Sequence, residues 1–169
     1  NVSLVSYVGK EIEDDKFIKR HLNKKIKYKL FNHPSAPTIL KRRFVDSDFL
    51  GKMFEISFMD DNKIPDNMED DIVAYLNEYL QDYDLVVVND YGHGFITNKI
   101  VQTLVEKAEF LAVNAQTNSS NIGFNLITKY PSADYVCIDK PEAMLACHDN
   151  YSSIDELIKK LANTMKCDK

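Results

Sequence analysis

The sequence predicts an α/β fold with a mostly parallel sheet and a small antiparallel lid or flap beside it. Apolar runs such as Leu85 to Val88 and Phe110 to Val113 are typical of strands buried on both faces of a parallel sheet. These runs alternate with stretches of helical period, as βα units do. The 169 residues, 44% apolar and 28% charged, suit one domain with a real core.

The first third of the chain begins with a strand and a helix. Val2 to Val8 alternates as a strand, and Ile12 to Leu22 has the spacing of an amphipathic helix. Three strand candidates bounded by turn-forming residues follow: Ile26 to Phe31, Thr38 to Val45 and Lys52 to Phe58. Because no helix separates these three candidates, we expect them to pair antiparallel and form the flap, over about residues 26–58.

Helices and strands alternate in the remaining two thirds. An apolar stripe from Met68 to Leu80 predicts a helix, and Thr97 is the predicted N-cap of the next one. Tyr135 to Ile138 is the last predicted strand. Ser153 and Glu156 have capping-box spacing and begin a final helix. Its predicted buried positions are Ile154, Leu157, Ile158, Leu161 and Met165.

Composition excludes several classes of partner and site. The net charge of −5 argues against general nucleic-acid affinity. The basic stretch 16–29 is interpreted as a solvated helix face and turn, with a binding patch as the alternative. Three cysteines without CxxC spacing and four scattered histidines predict neither disulfides nor a structural metal site. The cysteine pattern is typical of a reducing cytosol, so we expect a cytoplasmic protein. No apolar run approaches membrane-spanning length, so we expect no membrane partner.

Polar residues follow each predicted parallel strand. They are Asn89, Asp90, Asn114, Gln116, Asp139 and Glu142. Ligands of open α/β sheets bind just beyond the carboxyl ends of the strands. The sequence therefore predicts a site at this edge for a polar, phosphorylated ligand.

The roles of individual residues at this edge remain open from the sequence alone. Asp139 and Glu142 could hold a Mg²⁺-bound water near a phosphate, or could form the capping box of the next helix, and the two roles are compatible. Asp90 could accept a hydrogen bond from a substrate hydroxyl, or could serve only the turn it shares with Gly92 and Gly94.

Lys41 and Arg43 alternate onto one face of a flap strand. They could bind a phosphate, or could simply charge an exposed strand against aggregation. The sequence contains no GxxxxGK[ST], GxGxxG or GxSxG motif. This argues against a Walker-type NTPase, a dinucleotide-binding Rossmann unit and an α/β-hydrolase.

Several short motifs, taken in order, resemble the PfkB (ribokinase-like) family of carbohydrate kinases. They are Leu4 to Asp15, Pro37 to Arg43 (PT-x-x-K-x-R), 86–94 (V-x-S-D-Y-x-K-G), Val113 to Gln116 (V-D-P-K) and Asp139 to Glu142 (N-x-x-E). The nearest likeness is to the heptose-phosphate kinase domain that is fused to, or partnered with, a cytidylyltransferase-type nucleotidyltransferase.

The resemblance implies a three-layer αβα sheet and a kinase that transfers the γ-phosphate of Mg-ATP to a hydroxyl of a sugar or sugar phosphate. It implies that Asp139, Glu142 and Asn114 bind the nucleotide and its Mg²⁺. It places Asp90, Lys41 and Arg43 nearer the sugar and the phosphates. The flap would be a substrate lid that also joins two subunits into a homodimer.

The sequence departs from the family pattern at four places. Asp139 replaces the usual Asn, Asn114 and Gln116 replace Asp and Lys, and His93 replaces Lys. The family's Gly-Gly start and its catalytic Gly-Ala-Gly-Asp segment have no match, so no catalytic residue is predicted. We therefore expect residues 1–169 to be a single partial, truncated domain that is inactive alone. The alternative is a non-catalytic ribokinase-like module for assembly or ligand binding.

Overall fold

The computed structural model describes residues 1–118 and 120–167, without the side chains of residues 12–15. The chain forms two compact units, Asn1–Asn62 and Lys63–Lys169. That residues 1–169 make up one partial domain stays a prediction.

The first unit begins with a βαβ motif. Strand β1 (Val2–Val8) leads through helix α1 (Ile12–His21) to strand β2 (Ile26–Asn32). β1 and β2 pair in parallel, from Val2 opposite Ile26 to Val8 opposite Asn32. The prediction that Ile26 to Phe31 joins an antiparallel flap is therefore wrong. A helical crossover precedes this strand, and such a connection returns the chain in the same direction.

The antiparallel flap consists of a single hairpin. β3 (Leu40–Val45) pairs with β4 (Lys52–Phe58), with an irregular register between Phe44 and Val45. The rings of Phe44 and Phe54 stack across the two strands with centroids 4.4 Å apart. Antiparallel pairing of these two strands is confirmed, and much of the hairpin's apolar surface is exposed.

The second unit contains the parallel sheet. Its strands are β5 (Val86–Asp90), β6 (Leu111–Ala115) and β7 (Tyr135–Val136), paired in parallel in that order. Its helices are α2 (Asp66–Tyr79), α3 (Asn98–Lys107), α4 (Lys140–Cys147) and α5 (Ile154–Met165). Short 3₁₀ turns cover Leu80–Asp82 and Ile127–Lys129.

The core of the second unit lies on one face of its sheet. Val88, Leu111 and Val113 are buried, together with the inward residues of α2 and α3. On the other face Val87 is 60% exposed. The prediction that β5 is buried on both faces is wrong, because successive side chains of a strand point to opposite faces and only one face is covered here.

The helix starts follow their local sequence. Thr97 Oγ1 accepts a hydrogen bond from Ile100 N (3.3 Å), and a capping box begins α5 at Ser153. Within α5, however, Ile154 and Ile158 are exposed, contrary to the prediction, whereas Leu157 and the residues one and two turns further on are buried. None of the helices in the described ranges combines the length and apolar character needed to cross a membrane.

Candidate functional site

The parallel sheet brings the predicted polar residues to one edge. Asp90 is the last residue of β5 and lies opposite Ala115, the last residue of β6. Val113 of β6 lies opposite Val136 of β7, so the residues that follow β7 lie beside Asn114 and its successors. Asp90, Asn114 and Asp139 therefore all lie toward the carboxyl edge of the sheet.

Asp139 and Glu142 form the capping box of α4. Glu142 N donates to Asp139 Oδ1 (2.9 Å), and Asp139 N donates to Glu142 Oε2 (3.0 Å). The second oxygen of Glu142, Oε1, accepts from Thr117 N (3.0 Å), just beyond β6. Glu142 therefore ties the start of α4 to the end of β6, while the Asp139 side chain is exposed. The capping role is present, and nucleotide binding by these two residues stays a prediction.

Asn114 links β6 to the end of β7. Its Nδ2 donates to the carbonyl oxygen of Cys137 at 2.6 Å, and the residue is half-buried. The side chain therefore holds the chain leaving β7 beside β6. Its role toward a nucleotide stays a prediction.

The carboxylate of Asp90 is buried and fully engaged. Asp90 is 2% exposed. Oδ1 accepts from Gly92 N (3.0 Å), and Oδ2 accepts from Tyr130 Oη (2.8 Å) and pairs with Lys129 Nζ. Gly92 has a φ of 69° and no room for a Cβ, which would lie 2.1 Å from Asn121 Nδ2. Asp90 thus organises the turn after β5, and direct contact with a substrate stays a prediction.

Three residues that the sequence did not single out complete the cluster around Asp90, which we call the corner. Asn125 Nδ2 donates to the carbonyl oxygens of Asp90 and Gln116, each at 3.1 Å, and so bridges the ends of β5 and β6. Lys129 Nζ donates to Asn125 Oδ1 at 2.8 Å. Burial, and then the charge of Asp90, raises the pKa of Tyr130 far above its usual value, so its hydroxyl stays a donor. The sequence of residues 117–132, which is rich in Asn, gave no sign of these contacts. Only the general rule that a buried carboxylate needs partners points to them.

Lys41 and Arg43 belong to the hairpin of the first unit. Lys41 lies opposite Ser57 and Arg43 opposite Glu55. Arg43 Nε lies 2.7 Å from Glu55 Oε2, and this hydrogen bond is the main cause that lowers the pKa of Glu55. The Arg43 side chain is 65% exposed. These contacts favour the exposed-strand alternative for Arg43, and phosphate binding by both residues stays a prediction.

The donor set at the sheet edge fits a Mg²⁺ ion only as part of a nucleotide complex. Among the described residues, no group of three His, Cys, Asp or Glu side chains could hold a metal. Mg²⁺ usually keeps several waters and takes one or two carboxylates together with substrate phosphates. The exposed carboxylate of Asp139 meets that smaller requirement.

Sequence comparison finds a set of similar proteins with one name. No family model matches the chain. "Bifunctional protein HldE" of Campylobacter jejuni subsp. jejuni serotype O:2 is 30% identical over 79 residues, which cover 47% of this chain and 16% of that protein. The protein of the same name from Wolinella succinogenes is 25% identical over 114 residues, covering 68% and 23%. That from Rhodopseudomonas palustris is 21% identical over 132 residues, covering 78% and 26%.

Structure comparison extends over almost the whole chain. The ribokinase of Giardia lamblia superposes with a TM-score of 0.63 at 18% identity, over 95% of this chain and 48% of that one. The crystal structure of Sa239 gives a TM-score of 0.59 at 14% identity, over 96% and 50%. The chain thus spans about half of these structures and at most about a quarter of the curated relatives. Its fold is therefore the ribokinase-like α/β fold, and the predicted resemblance to ribokinase-like carbohydrate kinases is confirmed.

Proposed function

We propose that this chain is part of a PfkB-type carbohydrate kinase that transfers the γ-phosphate of ATP to a hydroxyl of a sugar or sugar phosphate, heptose-like in size. The observation that carries the proposal is a ribokinase-like sheet whose carboxyl edge collects Asp90, Asn114 and Asp139. Ligands of open α/β sheets bind at that edge.

On the nucleotide side, Asp139 is the residue proposed to face Mg-ATP. Its side chain is exposed at the sheet edge. Bound Mg²⁺ supplies neutralisation of the charge on the transferred phosphate. Asn114 and Glu142 would act beside Asp139 by holding the segments after β7 and β6 in place, through the contacts to Cys137 and Thr117.

On the sugar side, Lys41 and Arg43 would supply cations for a phosphate group. Their alternation on β3 puts both on one face of the hairpin. Asp90 would contribute through the turn that its carboxylate shapes, since that carboxylate is already bound by Gly92, Lys129 and Tyr130.

The proposal extends to the activity and surroundings of the chain. These 169 residues contain no Gly-Ala-Gly-Asp segment, so we expect no sugar phosphorylation from them alone. Loss of a positioned base typically costs about 10²–10⁴-fold in rate. We also propose a nucleotidyltransferase as a fused or separate partner, and the word "bifunctional" in the name of the HldE relatives supports a second activity in those proteins. We also propose a cytoplasmic location and a homodimer formed through the hairpin.

Calorimetric titration of the 169-residue chain with Mg-ADP tests the nucleotide site. Asp139→Ala removes a carboxylate and a helix cap together, whereas Ser153→Ala removes only the cap of α5. Both should lower the free energy of unfolding by about 1 kcal/mol. Only Asp139→Ala should weaken Mg-ADP binding, by at least about tenfold. Equal affinities in the two variants would refute the role of Asp139.

The second candidate is a non-catalytic ribokinase-like module. It is favoured by the commitment of Asp139 Oδ1 and of both Glu142 oxygens to backbone N–H groups. Under this alternative the unmodified chain would bind no Mg-ADP at millimolar concentration, and Asp139→Ala would affect stability alone.

A further inference from the structure

A loop that joins β2 to the hairpin is fastened to the end of β1. His33 N donates to Val8 O (2.8 Å), and Lys10 N donates to Ala36 O (3.1 Å). Gly9 N donates to Thr38 Oγ1 at 2.8 Å. We call residues 33–38 and these three hydrogen bonds the 33–38 latch. The loop packs so closely that a Cβ on Gly9 would lie 2.0 Å from Thr38 N.

The ring of His33 holds the latch closed from inside. His33 is 7% exposed. Its Nδ1 accepts from Ala36 N at 2.8 Å and from Ser35 N at 3.3 Å. A ring nitrogen that accepts hydrogen bonds carries no proton, so this geometry requires neutral imidazole with its proton on Nε2. A proton on Nδ1 would turn the acceptor into a donor, which would then face the two N–H donors of Ser35 and Ala36 and repel them.

Two titratable side chains, those of Tyr7 and Asp60, interact with His33 from neighbouring segments, and Asp61 interacts with Tyr7. The Tyr7 ring of β1 lies 6.1 Å from the imidazole, centroid to centroid, and Asp60 and Asp61 follow β4. Hydrogen bonds from Asn62, chiefly from its backbone N–H, lower the pKa of Asp60, and His33 lowers it slightly further. Burial, and then Asp60 and Asp61, raises the pKa of Tyr7. Asp60 is therefore charged and Tyr7 neutral throughout the range in which histidine titrates.

We propose that His33 makes the 33–38 latch a proton-operated device, closed with neutral imidazole and opened when the ring gains a proton. The charged ring would leave Ser35 N and Ala36 N and turn toward the carboxylates of Asp60 and Asp61. Because the closed latch needs an unprotonated Nδ1 as acceptor, acid favours opening. Opening would break the hydrogen bonds between the end of β1 and the loop that leads into β3. This inference does not depend on the proposed function.

Amide hydrogen exchange by ¹⁵N NMR on the 169-residue chain tests this inference at single residues. After correction for the intrinsic pH dependence of exchange, the Lys10 and Ala36 amides should lose at least about tenfold in protection between pH 7.5 and 5.5. Amides of α3, such as Ile100, should keep their protection over the same range. Constant protection of Lys10 and Ala36 would overturn the proposal.

His33→Asn separates the acceptor from the proton. The Asn amide oxygen replaces Nδ1 as an acceptor but cannot be protonated, so the variant should keep both amides protected at pH 5.5. His21→Asn is the matched control, because His21 is exposed at the end of α1, and it should retain the pH dependence of the unmodified chain. If His33→Asn shows the same loss of protection in acid, another group drives the opening and the proposal fails. Should His33→Asn not fold, the measurement on the unmodified chain still decides.

Discussion

The buried ion pair between Lys129 and Asp90 gives the sharpest test of how the corner is held together. Replacing Lys129 by Met keeps the length of the side chain and its apolar stem but removes the charge. It leaves the Asp90 carboxylate, 2% exposed, without its cation. It also removes the hydrogen bond from Lys129 Nζ to Asn125 Oδ1.

The expected magnitude follows from what remains around Asp90. Removing one partner of a fully buried ion pair typically lowers the free energy of unfolding by about 3–5 kcal/mol. Here Tyr130 Oη and Gly92 N still donate to the carboxylate, and the Lys129 side chain is 21% exposed rather than fully buried. We therefore expect Lys129→Met to lower the free energy of unfolding by about 2–3 kcal/mol.

Urea unfolding followed by far-ultraviolet circular dichroism measures this change. With a denaturant slope of about 1–3 kcal/mol per molar, the midpoint should fall by about 0.7–3 M. The control is Lys99→Met, which breaks an exposed pair with Asp70, and it should leave the midpoint unchanged. Combining Lys129→Met with Asp90→Asn should recover about 1 kcal/mol or more through their coupling.

The reasoning would be refuted if Lys129→Met and Lys99→Met shifted the midpoint equally. It would also be refuted if the effects of Lys129→Met and Asp90→Asn simply added. Either result would mean that the ion pair contributes no more than an exposed one, and that burial of Asp90 is supported by its remaining donors alone.

Three further outcomes are expected. Gly9→Ala should lower the free energy of unfolding by about 1–3 kcal/mol through overpacking, whereas Gly51→Ala, with open space around it, should not; urea midpoints compare the two. Hydrogen bonds, led by that from Lys160, hold the pKa of Asp149 well below its usual range. That contribution is present above about pH 4 and lost below it, so Asp149→Asn should flatten the acid-induced fall of the midpoint. Phe54→Lys on the exposed hairpin should weaken the proposed dimer, and a monomeric unmodified chain in sedimentation at high concentration would contradict that assembly.

Features set by neighbouring residues were predictable from the sequence. The capping boxes at Asp139 and Ser153 and the Thr97 cap depend on a side chain and a backbone N–H three residues apart, and all three are present. The strand candidates were also found, each end within two residues of the predicted one. Alternation within a strand, however, does not encode its partner, so the parallel pairing of β2 with β1 was missed.

Features that depend on distant parts of the chain were not predictable. The apolar run of β5 gave no sign that Val87 would lie on an uncovered face. Asn125 reads as one polar residue among many in its segment, yet its amide bridges Asp90 and Gln116. Only a fold brings these groups together, and no local spacing records the contact. The order of the parallel strands predicted which edge of the sheet carries the polar residues, but not which residues hold that edge together.

The corner around Asp90 also has a consequence for the order of folding. Asn125 and Tyr130 reach Asp90 across 35 and 40 residues of chain, so their hydrogen bonds close large loops. Until that closure, the Asp90 carboxylate has only the nearby Gly92 N as a donor, and its burial without Tyr130 and Lys129 is unfavourable. During synthesis, we therefore expect the Asp90 end of β5 to become stable only after Tyr130 has left the ribosome. This corner should form late, because contacts between residues far apart in sequence form slowly.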